Sequence, residues 1–600
     1  MGGRPRASLY SVRCHGNKAP LFPLCFNPAS GSGSFSAPPR QLLWTTAPVL
    51  GAFGGISFPM NSRLAAFHRI LLSAALCAFA VTAAHAQAVA AAGVLSSQTP
   101  HPNIKVPFTQ ITTTQTPTQT VAVPYTLRLP NIISNNAVLQ RGRPIHIWGW
   151  SSPNENITVQ FNNQNEQTTA NSQGQWELWL APEPAGGPYT LTVTGSNNEP
   201  PLTVSNILVG DVWFASGQSN MQIPLNGFPG SAVIKNAAQE IANSNYPDIR
   251  LLNLADTASS TPLDNITATW TTCDPTTTPN FSAVAYFFAR DLEAHLHIPI
   301  GIIDSSWGGT PISSWMSNTL LTSHPGFQPV YDKWKAFEAK QPQVTILGEQ
   351  QQPEEAARKH VWHPDPKSWH PSWLWNGMVA PMTPYTIRGF IWYQGETDAT
   401  DDWNPNLYRR LFPAMIQDWR DQWHEGNLPF LYVQISSFSA PNQHWGVIRN
   451  AQRTTLALRD TGMAVSLDIG EKNNIHPPDK QTVAQRLALT AYHVSYGQQI
   501  EDEGPLFQQV IRQGEQLRVY FTHTAQGLVS KGGPLKGFEI QDNDGNWHYV
   551  NAVIQGNTVV VDTTSIPNTP AVRYAWANYS TANLYNGVSL PASTFEATVP

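Results

Sequence analysis

The chain has 600 residues, too many for one ordinary hydrophobic core and enough for three or four domains. Charged residues make up 12%, about half the usual share, while 41% hydrophobic residues exclude a disordered chain. The net charge is −5 and no basic tract occurs, which argues against nucleic acid as a partner.

Residues 1–59 hold five Lys/Arg and no acid; the first acidic residue of the whole chain is Glu155. Met60 then opens MNSRLAAFHRILLSAALCAFAVTAAHAQA, with Arg63 and Arg69 ahead of an apolar stretch and Ala84-His85-Ala86 as a small-x-small cleavage signal. This order predicts a secretory signal peptide over 60–86, with Met60 as the start and 1–59 as a spurious upstream extension. The apolar stretch, about 15 residues, is short for a membrane span, and no later stretch of the mature chain resembles one. Cleavage near Ala86 leaves 28 Lys/Arg against 40 Asp/Glu, a charge of −12, and Cys273 as the remaining cysteine. The expectation is an exported protein, periplasmic or extracellular, without an intrachain disulfide.

Residues 87–124, with the run TTTQTPTQT, read as a Thr/Pro/Gln-rich linker. From 125 to 208 short alternating runs (IHIWGW, NITVQF, QWELWL, YTLTVTG) broken by turn residues predict a β-sandwich. Over 209–504 apolar strand-like runs (DVWFAS, IGIID, GFIWYQG, FLYVQIS, MAVSLDIG) alternate with helical ones. That pattern predicts an α/β domain: a mainly parallel sheet with helices on both faces. A long insertion at about 320–375, rich in Gln, Pro, His and Trp, reads as irregular. The strand pattern returns over 505–600 as a C-terminal β region, with Asp542-Asn543-Asp544-Gly545 as a hairpin turn.

Four segments carry chemistry, each where a strand hands over to a loop, the ligand-binding edge of an open α/β sheet. In DVWFASGQSNMQIP, Ser219 stands at a helix start, where its hydroxyl is exposed beside backbone N–H groups; a plain helix cap explains the same residue. In IGIIDSSWGGTPISSW, Gly308-Gly309 let a backbone N–H approach a ligand, or simply make a turn. In GFIWYQGETDA, Gln394, Glu396 and Asp398 crowd a strand end. In SLDIGEKNNIHPPDK, His476 precedes two prolines and a helix capped by Asp479; neutral imidazole takes a serine proton near pH 7. His360 and His363 have ligand-like spacing, but without a clear helix or cysteine they do not make a metal site, and no phosphate loop occurs. No cofactor is expected.

In that order Gly217-Gln218-Ser219-Asn220-Met221, Ser306-Trp307-Gly308-Gly309-Thr310, Trp392-Tyr393-Gln394-Gly395-Glu396 and Ile475-His476-Pro477 resemble the sialate O-acetylesterase family, a carbohydrate-esterase branch of the SGNH hydrolases. NAVLQRGRPIHIWGW, WNGMVAPMTPY, PLKGFEI and RYAWANYSTANLYN extend the resemblance over about 125–600. It implies Ser219 as nucleophile, His476 as general base, Gly309 in the oxyanion hole with the Ser219 N–H, and Gln394 near the place of an oxyanion-hole side chain. One departure stands out: Asn473 and Asn474 occupy positions where relatives carry Asp. Three accounts remain open. Asp468 or Glu471 orients the histidine, a backbone carbonyl does so in a Ser–His dyad, or activity is reduced. The function implied is an exported serine esterase removing acetyl groups from sugars, with acetylated sialic acid or a plant polysaccharide such as xylan as substrate. The alternative is a non-catalytic carbohydrate-binding protein on an esterase scaffold, suggested by 21 Trp and the missing Asp.

Overall fold

The computed structural model describes residues 126–228, 233–340 and 366–600. The expected upstream extension, signal peptide and linker lie outside these residues, as do His360 and His363.

The first described strands are β1 (Val138–Gln140), β2 (Ile145–Trp150), β3 (Asn156–Phe161), β4 (Gln164–Thr169), β5 (Gln175–Leu180), β6 (Gly186–Gly195) and β7 (Leu202–Gly217). β2 and β5 form one antiparallel pair, and β4, β3, β6, β7 and β1 pair in succession. Alternation does the sorting. In β5, Trp176, Leu178 and Leu180 are buried while Gln175, Glu177 and Trp179 are exposed, the period-2 pattern of a sheet with one wet face.

β7 is 16 residues long, and a domain boundary at 208/209 falls inside it. Its first half pairs with β6; its second half, Asp211–Gly217, is the centre of another sheet. That sheet adds β8 (Tyr246–Asn253), β9 (Thr271–Cys273), β10 (Ile300–Ser306), β11 (Gly389–Tyr393), β12 (Phe430–Gln434) and β13 (Thr461–Val465). The order is β13-β12-β11-β7-β10-β8-β9, parallel except for β9. From Ile207 to Gly217 every residue of β7 is buried, which is why this stretch reads as one apolar run rather than an alternation.

Helices cover both faces. Neighbouring residues of a strand point to opposite sides. Trp213 meets Phe288 of α2 (Ala283–Leu296) edge-on at 5.1 Å, while Phe214 meets Trp419 of α3 (Pro405–Trp423) at 5.7 Å. α4 (Trp445–Thr455) packs beside α3, and α5 (Lys480–Thr490) beside α2. A four-residue helix, α1 (Ser219–Gln222), follows β7 directly. The stretch read as an irregular insertion contains two helices, Asn318–Ser323 and Gln328–Lys340; its Gln- and Pro-rich remainder hid a helix whose mean hydropathy is low.

The last hundred residues form short strands in antiparallel sheets, including Leu506–Gln513 with Gln516–Thr522 and Phe538–Gln541 with Trp547–Tyr549 across the 542–545 turn. Arg449 of α4 is fully buried and donates to the carbonyls of Ala575, Trp576, Ala577 and Asn578, clamping this region to the α/β layer. No helix of the described residues is long and apolar enough to cross a membrane.

Candidate active site

The chain runs from β7 to β8 and back to β10 on one side of β7, then crosses to β11 on the other. The strand order therefore reverses at β7, and a crevice opens beyond its C-terminal end. Ser219, Gly309 and Gln394 follow three neighbouring strands, β7, β10 and β11, at this edge. His476 comes from the loop between β13 and α5.

The turn into α1 depends on Gly217, whose φ is +140°; a Cβ there would lie 2.2 Å from the Tyr393 carbonyl oxygen of β11. Gln218 is extended and its N–H bonds Tyr393, so the helix starts one residue later at Ser219. As the first residue of a helix, Ser219 keeps its N–H unpaired among the described residues. Its side chain is not a cap. Ser219 Oγ lies 2.9 Å from His476 Nε2, and the two residues are 257 positions apart in sequence.

The loop after β10 is pinned at almost every polar atom. Gly308 N–H donates to Gln222 Oε1 (2.8 Å), and the Gly309 carbonyl accepts from Trp369 Nε1 (2.7 Å). Thr310 O accepts from Gln394 Nε2 (3.1 Å), and Ile312 N–H donates to Asp398 Oδ2 (2.8 Å). Gly309 sits at φ +68°, and its N–H has no partner among the described residues. The N–H groups of Ser219 and Gly309 are thus both unpaired among the described residues.

Gln394 needs correction. It is fully buried, its amide donates to Thr310 O and to Asp398 Oδ2 (2.5 Å), and its Oε1 accepts from the Tyr408 hydroxyl (3.1 Å). Both amide hydrogens are engaged, so the side chain braces the glycine loop instead of presenting a donor. Burial pushes the carboxyl of Asp398 up to about 7.

The two carboxylates considered for orienting His476 do not reach it. Asp468 forms a two-pronged pair with Arg486 (2.7 and 2.8 Å), and Glu471 accepts from Asn474 Nδ2 (3.1 Å). A backbone carbonyl does not hold the ring either: His476 Nδ1 has no protein partner among the described residues. The imidazole is placed by the Ser219 bond, by Phe228 edge-on at 5.8 Å, and by its loop. That loop is tied to the nucleophile helix, since Asn220 Nδ2 donates to Ile475 O (3.1 Å) and His476 N–H to Asn474 Oδ1 (3.0 Å).

Beneath the pair lies a charged group that the sequence did not single out. Lys480, the first residue of α5, is fully buried and donates to Asn220 Oδ1 (2.5 Å); Asn220 Nδ2 donates to buried Glu396 Oε1 (2.5 Å). Burial lowers Lys480 to about 7, with Glu396 opposing. Burial, and next the charge of Lys480, lowers His476 to about 4. Asn220 stood inside the Gly-Gln-Ser-Asn-Met motif, but a single lysine after His-Pro-Pro-Asp carries no pattern that would have flagged it.

Among the described residues, Glu501, Asp502 and His523 alone bring metal-ligand atom types within 4.8 Å of one another. His523 Nδ1 lies 2.6 Å from Glu501 Oε1.

The family model of a carbohydrate esterase, sialic acid-specific acetylesterase, matches residues 360–492, which include the third and fourth motifs. The human sialate O-acetylesterase is 31% identical over 530 residues, 78% of this chain and 92% of the relative. The mouse sialate O-acetylesterase is 30% identical over 525 residues, covering 79% and 94%. A carbohydrate acetylesterase from Xanthomonas citri, solved by crystallography, superposes with a TM-score of 0.68 at 35% identity, covering 79% of this chain and 99% of its own. An α/β layer with a serine–histidine pair at its switch point, and relatives of this kind, define a carboxylic ester hydrolase acting on carbohydrate esters. The chain belongs to the sialate O-acetylesterase family.

Proposed function

We propose that the protein is exported and removes O-acetyl groups from sugars through an acetyl-enzyme, with Ser219 and His476 working as a dyad. The observation that carries this reading is the 2.9 Å contact between Ser219 Oγ and His476 Nε2 at the end of the central strand. Neutral imidazole takes the hydroxyl proton as Oγ attacks the acetyl carbonyl. The charge developing on the carbonyl oxygen is met by the N–H groups of Ser219 and Gly309. Collapse expels the sugar hydroxyl, protonated by His476, and water attacking the acetyl-serine by the same route releases acetate.

The substrate class favoured is a neutral acetylated polysaccharide. Gln222, which holds the glycine loop, is itself bound by the exposed carboxylate of Asp256 at 3.2 Å. A carboxylate so close to the acyl site disfavours an anionic sialate by like-charge repulsion. The first 86 residues, read as a discarded extension and a signal peptide, suit a protein meeting polymer outside the cytoplasm.

Acetate release from acetylated xylan and from O-acetylated sialic acid, compared side by side, tests the reading. Ser219→Ala should lower release by roughly three orders of magnitude or more with the fold intact. Wild-type turnover in Ser219→Ala would remove the nucleophile, and faster release from sialic acid than from xylan would reverse the substrate preference. Glu471→Gln should change the rate by roughly tenfold or less, because no triad carboxylate is being deleted.

A further inference from the structure

One sizeable groove of the described residues lies away from Ser219. It is a groove of about 520 Å³ between the outward face of β2 and β5 and the α/β layer, where Asp264 and Pro381 form the opposite wall. β2 contributes His146, Trp148 and Trp150, and β5 contributes Gln175 and Glu177. The face is a ring stack. His146 lies 5.0 Å from Trp148 and 4.2 Å from Trp179, at interplanar angles of 22° and 12°. The imidazole nitrogens each face an acceptor at 3.0 Å, Nδ1 the Pro384 carbonyl and Nε2 the Glu177 carboxylate, and a hydrogen bond to either holds the ring in the stack. Trp179 ends it with 54% of its surface exposed, the largest side chain left open in the described structure.

We infer that this groove is a second, non-catalytic binding site for a neutral oligosaccharide. An indole held flat and exposed offers its electron-rich face to the axial C–H bonds of a pyranose ring, and gains from removing that face from water. Trp179 stands beside the groove, stacked on the lining His146, and the groove supplies the groups that sugar hydroxyls bond: the Glu177 and Asp264 carboxylates, the Gln175 amide and the Thr168 hydroxyl. Two carboxylates among the lining groups select against a uronic or sialic acid. The loop after β8 links the two places: it bonds Gln222 through Asp256 beside the glycine loop and reaches the groove at Leu263 and Asp264. A chain held in the groove therefore keeps polymer near Ser219 and raises its local concentration there.

The test uses the full chain carrying Ser219→Ala, so that binding is measured without turnover, with xylohexaose and cellohexaose as neutral probes and hexagalacturonate as the charged one. Calorimetric titration should show binding of at least one neutral probe, none of hexagalacturonate, and a loss of roughly tenfold or more in Trp179→Ala that Trp179→Phe restores in part. In the otherwise wild-type enzyme, Trp179→Ala should leave hydrolysis of 4-nitrophenyl acetate unchanged and raise KM on acetylated xylan. The inference is overturned if neither neutral probe binds, if Trp179→Ala binds as well as its parent, or if hexagalacturonate binds equally well. Activity on 4-nitrophenyl acetate then still reports separately on the catalytic reading.

Discussion

At Ser219 and His476 the chemistry is set by what is missing from the imidazole's far side. A triad carboxylate raises the basicity of its histidine; here the nearest named charge is the Lys480 ammonium, held by Asn220. A general base works only when neutral, so kcat/KM rises as pH rises through the histidine's own value. Burial and Lys480 together put that value at about 4, well below the ordinary 6.5 or so. The acid limb of the pH–rate profile is therefore expected near pH 4. Lys480→Met, which keeps the stem and removes the charge, should move the limb upward while leaving it below the ordinary value, because burial is the larger cause. A wild-type limb at 6.5 in measured kcat/KM would contradict this environment.

Among the elements, α4 has the heaviest structural duty outside the sheet. Its Arg449 is buried without a carboxylate partner; Nη1 and Nη2 donate to four carbonyls of residues 575–578, while Nε has no partner among the described residues. Burial alone lowers it to about 9, so it remains charged at neutral pH. Asn578 reaches back to Ala440 O and supports the turn before α4, and Ser439 N–H in that turn bonds Lys472 O in the histidine loop. The C-terminal region thus braces the segment that delivers His476. Arg449→Met fills similar space but strands the carbonyls, and should cost about 3 kcal/mol of stability, the penalty for unsatisfied buried groups. Urea unfolding midpoints compared at constant slope check it; an unchanged midpoint would mean that the clamp carries no net energy.

Over the whole molecule, the scarcity of charge makes each buried carboxyl count. Glu503, where the α/β layer passes to the C-terminal strands, accepts from Met463 N–H (3.1 Å) and is raised to about 8 by burial, with Asp502 adding to it. The folded chain holds this proton through a range in which the unfolded chain, near the ordinary 4.3 or so, has lost it. Its contribution is present in full below about pH 4 and is lost as pH rises through about 8. Glu503→Gln keeps an acceptor for Met463 and removes the titration. Its melting temperature relative to wild type should therefore climb between pH 5 and pH 8. A difference that stays flat with pH would show that Glu503 is ionised in the fold.

The sequence by itself determined the α/β layer and put Ser219 and His476 in motifs at its edge. Apolar runs such as Ile207–Gly217 need burial on both sides, and only a covered parallel sheet supplies it. Gly217 takes backbone where a Cβ would strike the Tyr393 carbonyl, Gly309 takes the left-handed conformation that glycine favours, and Ser219 and His476 stood in the four motifs. Tertiary structure alone decided which polar side chains face the reaction. Gln394, Asp468 and Glu471 were chemically suitable, but each is committed elsewhere: Gln394 to Thr310 and Asp398, Asp468 to Arg486, and Glu471 to Asn474 in its own loop. Lys480 was invisible for the converse reason, since its role comes from Asn220, 260 residues away. The groove between β2, β5 and the α/β layer belongs to the same class. Strand alternation placed Trp179 on a wet face, but only the fold set a wall opposite that face and made a cleft of it.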